Sequence, residues 1–98
     1  MKRNEALAIL RAEQEHLRRD FSVKSLALFG SVARDQAKDS SDVDLLVEFD
    51  RPIGLLHLIG TQQYIEKRLG VARVDLILKR AILPELKDDI LTGAVDAF

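Results

Sequence analysis

A chain of 98 residues, 47% hydrophobic and 32% charged, is sized for one folded unit around one modest core. Its 15 basic and 16 acidic residues leave a net charge near −1, which excludes the basic excess of a module built for long nucleic acid. No apolar run approaches a membrane span or a signal peptide, and the absence of cysteine rules out disulfides and thiolate metal sites, so a cytoplasmic protein with no membrane contact is expected.

Asn4 is placed to cap a first helix over residues 4–19, where Ala6, Leu7, Leu10 and Leu17 fall on one stripe. Residues 21–24 lead into a strand whose run Leu26-Ala27-Leu28-Phe29 is apolar enough to be buried on both faces. In the polar stretch that follows, residues 33–37 suggest a helical turn and Lys38-Asp39-Ser40-Ser41 is loop chemistry. A second strand is predicted over residues 42–49, broken by Asp50-Arg51-Pro52-Ile53-Gly54. Leu55, Leu58, Ile59, Ile65 and Leu69 recur at helical spacing, which predicts a helix over residues 55–69 with Gly70 as its C-cap. A third strand over residues 73–78 and a last helix over residues 84–91, with Pro84 in its first turn and Gly93 beyond its end, complete the chain. There is no repeat, low-complexity tract or long linker. The expected architecture is one α/β domain over residues 1–98, with helices on one face of the sheet or both.

The chemistry lies between Leu26 and Phe49. One apolar run delivers Gly30-Ser31 to a strand end, and a second begins with Asp42-Val43-Asp44. Side chains two apart on a strand share a face, so Asp42 and Asp44 project together. Gly30 allows a ligand close to the backbone. Two neighbouring carboxylates repel each other at neutral pH unless a cation lies between them. A phosphate-accommodating turn beside a divalent-metal site is the minimum equipment for chemistry on a nucleoside triphosphate. The cluster from Asp39 to Asp44 lacks the glycine and distal glutamate of an EF-hand, which argues against a calcium loop. His16 and His57 do not have metal-pair spacing. Tyr64 and Gln63 are left as open candidates for contacting a base.

The Gly-Ser pair, the loop and the Asp-x-Asp resemble the signature of the DNA polymerase β-like nucleotidyltransferase superfamily. That resemblance implies a third acidic residue on a later strand, and Asp75 in Val74-Asp75-Leu76-Ile77-Leu78 fits it. It also implies a short mixed β-sheet with helices packed behind it, a polymerase β palm-like fold with the site in front. The length and the C-terminal segment look most like the minimal nucleotidyltransferase (MNT) domains, commonly paired with a HEPN-domain protein as antitoxin and toxin. By this resemblance Asp42, Asp44 and Asp75 are the catalytic residues and the ligands of two Mg2+ ions. Gly30, Ser31 and Arg34 then hold the phosphates of ATP. The implied reaction moves AMP onto a hydroxyl, a tyrosine of the HEPN-type partner.

Two positions depart from the family pattern. Many relatives carry an arginine after the Gly-Ser pair and a glycine after the later arginine, where this chain has Val32 and Asp35. The chain also ends soon after its third strand, so another chain, in a homo- or hetero-oligomer, is expected to supply the acceptor or half of the cleft. Two other functions fit parts of the pattern. One is a binding module that neutralises its partner without chemistry, although such a module has no need of three carboxylates. The other is a catalytic subunit that adenylylates a small molecule.

Overall fold

The computed structural model describes residues 1–36 and 42–98. The loop read at Lys38-Asp39-Ser40-Ser41, the end of the helical turn at Ala37 and the first half of the calcium-loop candidate lie outside these residues. In chain order the elements are α1 (Arg3–Ala12), α2 (Gln14–Phe21), β1 (Val23–Phe29), α3 (Gly30–Ala33), β2 (Val43–Phe49), α4 (Leu55–Leu69) and β3 (Val74–Leu78). A 3-10 turn (Lys79–Ala81), α5 (Pro84–Thr92) and β4 (Val95–Asp96) follow.

The four strands form one sheet in the order β3-β2-β1-β4. β1 runs antiparallel to β2 and β4, and β2 runs parallel to β3, so the sheet is mixed. A register shift between Val23 and Ser25 changes the parity of β1. Val23 therefore shares a face with Leu26 and Leu28, opposite Phe49, Val47 and Leu45 of β2. With Val43 and Val74 these residues form the floor of the core, over which Ala6, Leu7, Leu10, Leu17, Ile65 and Leu69 of the helices pack. The other face, here called the front, carries Phe29, Asp44, Asp75 and Glu48.

The first helix is two helices. The chain breaks at Glu13, whose backbone sits at φ −94° and ψ 2°. Its carboxylate accepts a hydrogen bond from the Tyr64 hydroxyl at 2.7 Å and pairs with Arg68 of α4. Asn4 is not the cap: α1 begins at Arg3, and the Arg3 amide donates to the Asp35 carboxylate at 3.0 Å. A cap from 32 residues away leaves no local signature.

The predicted helix over 55–69 appears with those bounds, and Gly70 ends it at φ +71°. Its apolar stripe is only half used. Ile65 and Leu69 are buried, whereas Leu55 and Ile59 are 71% and 37% exposed. Thr61, fully buried, takes an inward position and satisfies its hydroxyl on the His57 carbonyl. β4 escaped the sequence reading because two residues carry no periodicity. It is fixed by pairing with β1 and by Arg11, which donates to the carbonyls of Asp96 and Ala97. Among the described residues, no helix is long and apolar enough to cross a membrane.

Candidate active site

β1 ends at Phe29, and the chain turns at once into α3 through Gly30 at φ +75°. That conformation favours glycine, and the space demands it: a Cβ there would lie 2.2 Å from the Asp44 Oδ2. The backbone at Gly30 and the carboxylate of Asp44 are thus in close apposition. Ser31 follows at the start of α3, where first-turn amides have no intrahelical acceptor. The helical turn comes earlier than the sequence suggested: α3 spans Gly30–Ala33 and its end is a turn at Arg34 and Asp35.

Strand register gathers the carboxylates. β2 and β3 pair Val43 with Val74 and Asp44 with Asp75. Asp44 and Asp75 are therefore cross-strand neighbours, and Asp42, exposed just before β2, is close enough that its charge acts on Asp44. Burial is the first cause that pushes the Asp44 carboxyl above the ordinary aspartate range. The charge and side-chain contact of Asp75, then the charge of Asp42, push the same way, and Arg34 partly offsets them. Arg34 itself is exposed and donates to Gln36 at 3.3 Å. Gly30, Ser31, Asp42, Asp44 and Asp75 thus lie at one edge of the front face, with Arg34 beside them.

Hard oxygen donors on one face are the ligand type that magnesium takes. Among the described residues no three acidic or histidine side chains stand together at metal-ligating spacing. The Arg73 guanidinium lies against two of the three carboxylates instead, with Nε 3.1 Å from Asp75 Oδ1 and 3.8 Å from Asp42 Oδ2. Sequence reading treated Arg73 only as the first residue of a strand. The signal that would have found it is parity, since residue 73 shares the face of residue 75.

Both departures from the family pattern have a structural account. Val32 is buried in the core, 1% exposed. Asp35 sits at φ +57°, the left-handed region that glycine favours and aspartate tolerates. Its carboxylate is engaged with α1. Of the candidates left open, Tyr64 bonds Glu13, and its ring stacks on His16 with centroids 4.7 Å apart. His57 Nε2 is 2.6 Å from the Phe21 carbonyl oxygen. All three belong to the helix layer behind the sheet. A cavity of about 270 Å3 lined by Phe49, Arg51, Pro52, Ile53, Leu78 and Arg80, among others, opens where β2 and β3 end. It shares no residue with the Gly30–carboxylate group, which lies at the other end of these strands.

A mixed sheet with helices behind it and a Gly-Ser turn beside paired carboxylates in front defines the nucleotidyltransferase fold. The family model described as "Nucleotidyltransferase domain" matches residues 11–96, and the chain belongs to that family, as a minimal nucleotidyltransferase. Protein adenylyltransferase MntA of Thermococcus cleftensis is 39% identical over 88 residues, covering 90% of this chain and 88% of the relative. A solved structure assigned as a minimal nucleotidyltransferase superposes with a TM-score of 0.74 at 36% identity, covering 97% of this chain and 95% of the other. The MNT antitoxin structure with the tri-AMPylated Shewanella oneidensis HEPN toxin shares the fold, with a TM-score of 0.66 at 19% identity over 94% of this chain and 71% of that one. A toxin–antitoxin structure with AMP-PNP does so at 0.72 and 21%, over 90% of this chain and 72% of that one.

Proposed function

We propose that residues 1–98 act as one cytoplasmic domain that moves AMP from ATP onto a hydroxyl, a tyrosine of a HEPN-type partner, and so serves as an antitoxin. The observation that carries this reading is the Asp44–Asp75 pair in register against Gly30. The relatives named protein adenylyltransferase support AMP as the group moved. The antitoxin fold bound to an AMPylated HEPN toxin supports the partner class.

Asp42, Asp44 and Asp75 would hold magnesium, which when bound neutralises phosphate charge and acidifies the attacking hydroxyl. The side-chain-free Gly30 admits the triphosphate to the backbone, the Ser31 hydroxyl donates to a phosphate oxygen, and Arg34 pairs with remaining phosphate charge. Asp75 accepts the proton of the attacking hydroxyl. A bond forms from that oxygen to the α-phosphorus, the bond to the bridging oxygen breaks, and pyrophosphate leaves.

The test is intact-mass measurement of a co-expressed HEPN-type partner. One or more AMP increments are expected with the wild type, and none with Asp42→Ala combined with Asp44→Ala, while the complex persists. Increments with the double variant would overturn the assigned site. Suppression of the partner by a wild type that adds no mass would replace the enzyme with a binding module.

A further inference from the structure

Arg73 belongs to the carboxylate group by position, and nothing in the transfer chemistry above uses it. Its carbonyl accepts the Val43 amide at 3.3 Å, which places it one step before the Val43–Val74 pair, beside Asp42. Parity sets its side chain on the face of Asp75. The front of the site is therefore a square of cross-strand neighbours, Arg73 beside Asp42 and Asp75 beside Asp44. Among the described residues, every hydrogen bond and ion pair of the Arg73 side chain is to Asp42 or Asp75. The side chain is 65% exposed, so it has little packing to break on leaving.

A guanidinium and a divalent cation cannot both use the same oxygens of Asp42 and Asp75, and their like charges repel at that distance. Exposed ion pairs of this kind are weak enough to exchange. The geometry points to Arg73 as an exchangeable counter-cation. It holds Asp42 and Asp75 together before loading, competes with a bare divalent ion for them, and transfers to phosphate charge when the ion arrives with a triphosphate. The site would then favour the metal–nucleotide complex over the metal alone. This rests on the proposed metal-binding role of the three carboxylates, but not on which acceptor is modified.

The test is binding of Mn2+, followed by the spectroscopic signal of the free ion, to the wild type, Arg73→Ala and Arg73→Lys. At low ionic strength Arg73→Ala should bind bare Mn2+ about three- to fivefold tighter than the wild type. Arg73→Lys, which keeps the charge, should stay near the wild type. Added salt should close the gap. With AMP-PNP present the advantage of Arg73→Ala should vanish or reverse. Bare-ion affinity in Arg73→Ala equal to or weaker than wild type, with Mn2+ still bound in both, overturns the counter-cation and leaves the transferase reading standing. No Mn2+ binding by the wild type or either variant, with or without AMP-PNP, removes the metal site itself and both readings with it.

Discussion

Asp44 in front of the sheet and Glu13 behind it are carboxylates of one small fold with opposite surroundings. The Glu13 carboxyl is held below the ordinary glutamate range, first by the Tyr64 hydroxyl, against burial, and then by Arg68. The Asp44 carboxyl is pushed up by burial and by two more aspartates. The rear group is satisfied by protein donors and ties α1, α2 and α4 together. The front group is crowded with negative charge that the protein only partly neutralises, through Arg34 and Arg73. A carboxylate completed by its own chain serves the fold, whereas one left electrostatically incomplete is suited to a cation brought from outside.

The largest expected effect separates the two regions by function. Asp42→Ala combined with Asp44→Ala should lower nucleotidyl transfer by about a thousandfold or more, since several kcal/mol of charge stabilisation at the reacting phosphate is lost. The same double variant, measured without metal, should melt no lower than the wild type. A large drop in melting temperature would mean that the front carboxylates also hold the fold.

Gly30→Ala attacks the front through the backbone. Its φ of +75° and the 2.2 Å approach to Asp44 Oδ2 should cost about 1–3 kcal/mol of stability, read as a lower denaturation midpoint. It should also weaken ATP binding. An alanine variant with unchanged stability and affinity would show that this apposition does not matter.

Tyr64→Phe tests the rear alone. Losing a hydrogen bond to a charged group should cost about 1–2 kcal/mol in chemical denaturation, with transfer unchanged. Loss of transfer in a variant of normal stability would move Tyr64 into the site.

The smallest and most discriminating effect is in the pH dependence of stability without metal. Glu13 has a lowered value, so its contribution is present above the ordinary glutamate range and is lost as pH falls through the folded-state value. Asp44 has a raised value, so its contribution is present below the ordinary aspartate range and is lost as pH rises through the folded-state value. At neutral pH, Glu13→Gln should therefore melt below the wild type and Asp44→Asn above it. Both gaps should narrow toward acid pH, as the carboxylates protonate. Matching signs for the two variants would erase the contrast between front and rear.

How far the sequence could be read follows the range of the interactions. Gly30, the Asp42–Asp44 parity and the helix from Leu55 to Leu69 are set by neighbours in the chain, and short-range rules reach them. The break at Glu13 depends on Tyr64, 51 residues away, and the α1 cap on Asp35, 32 residues away. The apolar spacing of α4 identified a helix but not how much of its stripe the core reaches, so Leu55 and Ile59 looked internal. Within the site, the placement of Asp75 opposite Asp44 required the register of β2 and β3, which residue patterns alone do not set. Arg73 was passed over for the same reason, since its meaning lies in its neighbours across the strands.

Calorimetric titration of ATP into the protein, first in EDTA and then in magnesium, tests the central claim most directly. The expected result is weak or undetectable binding in EDTA, clear binding with magnesium, and loss of that gain when Asp42 and Asp44 are both alanine. Equal affinity with and without magnesium would contradict it.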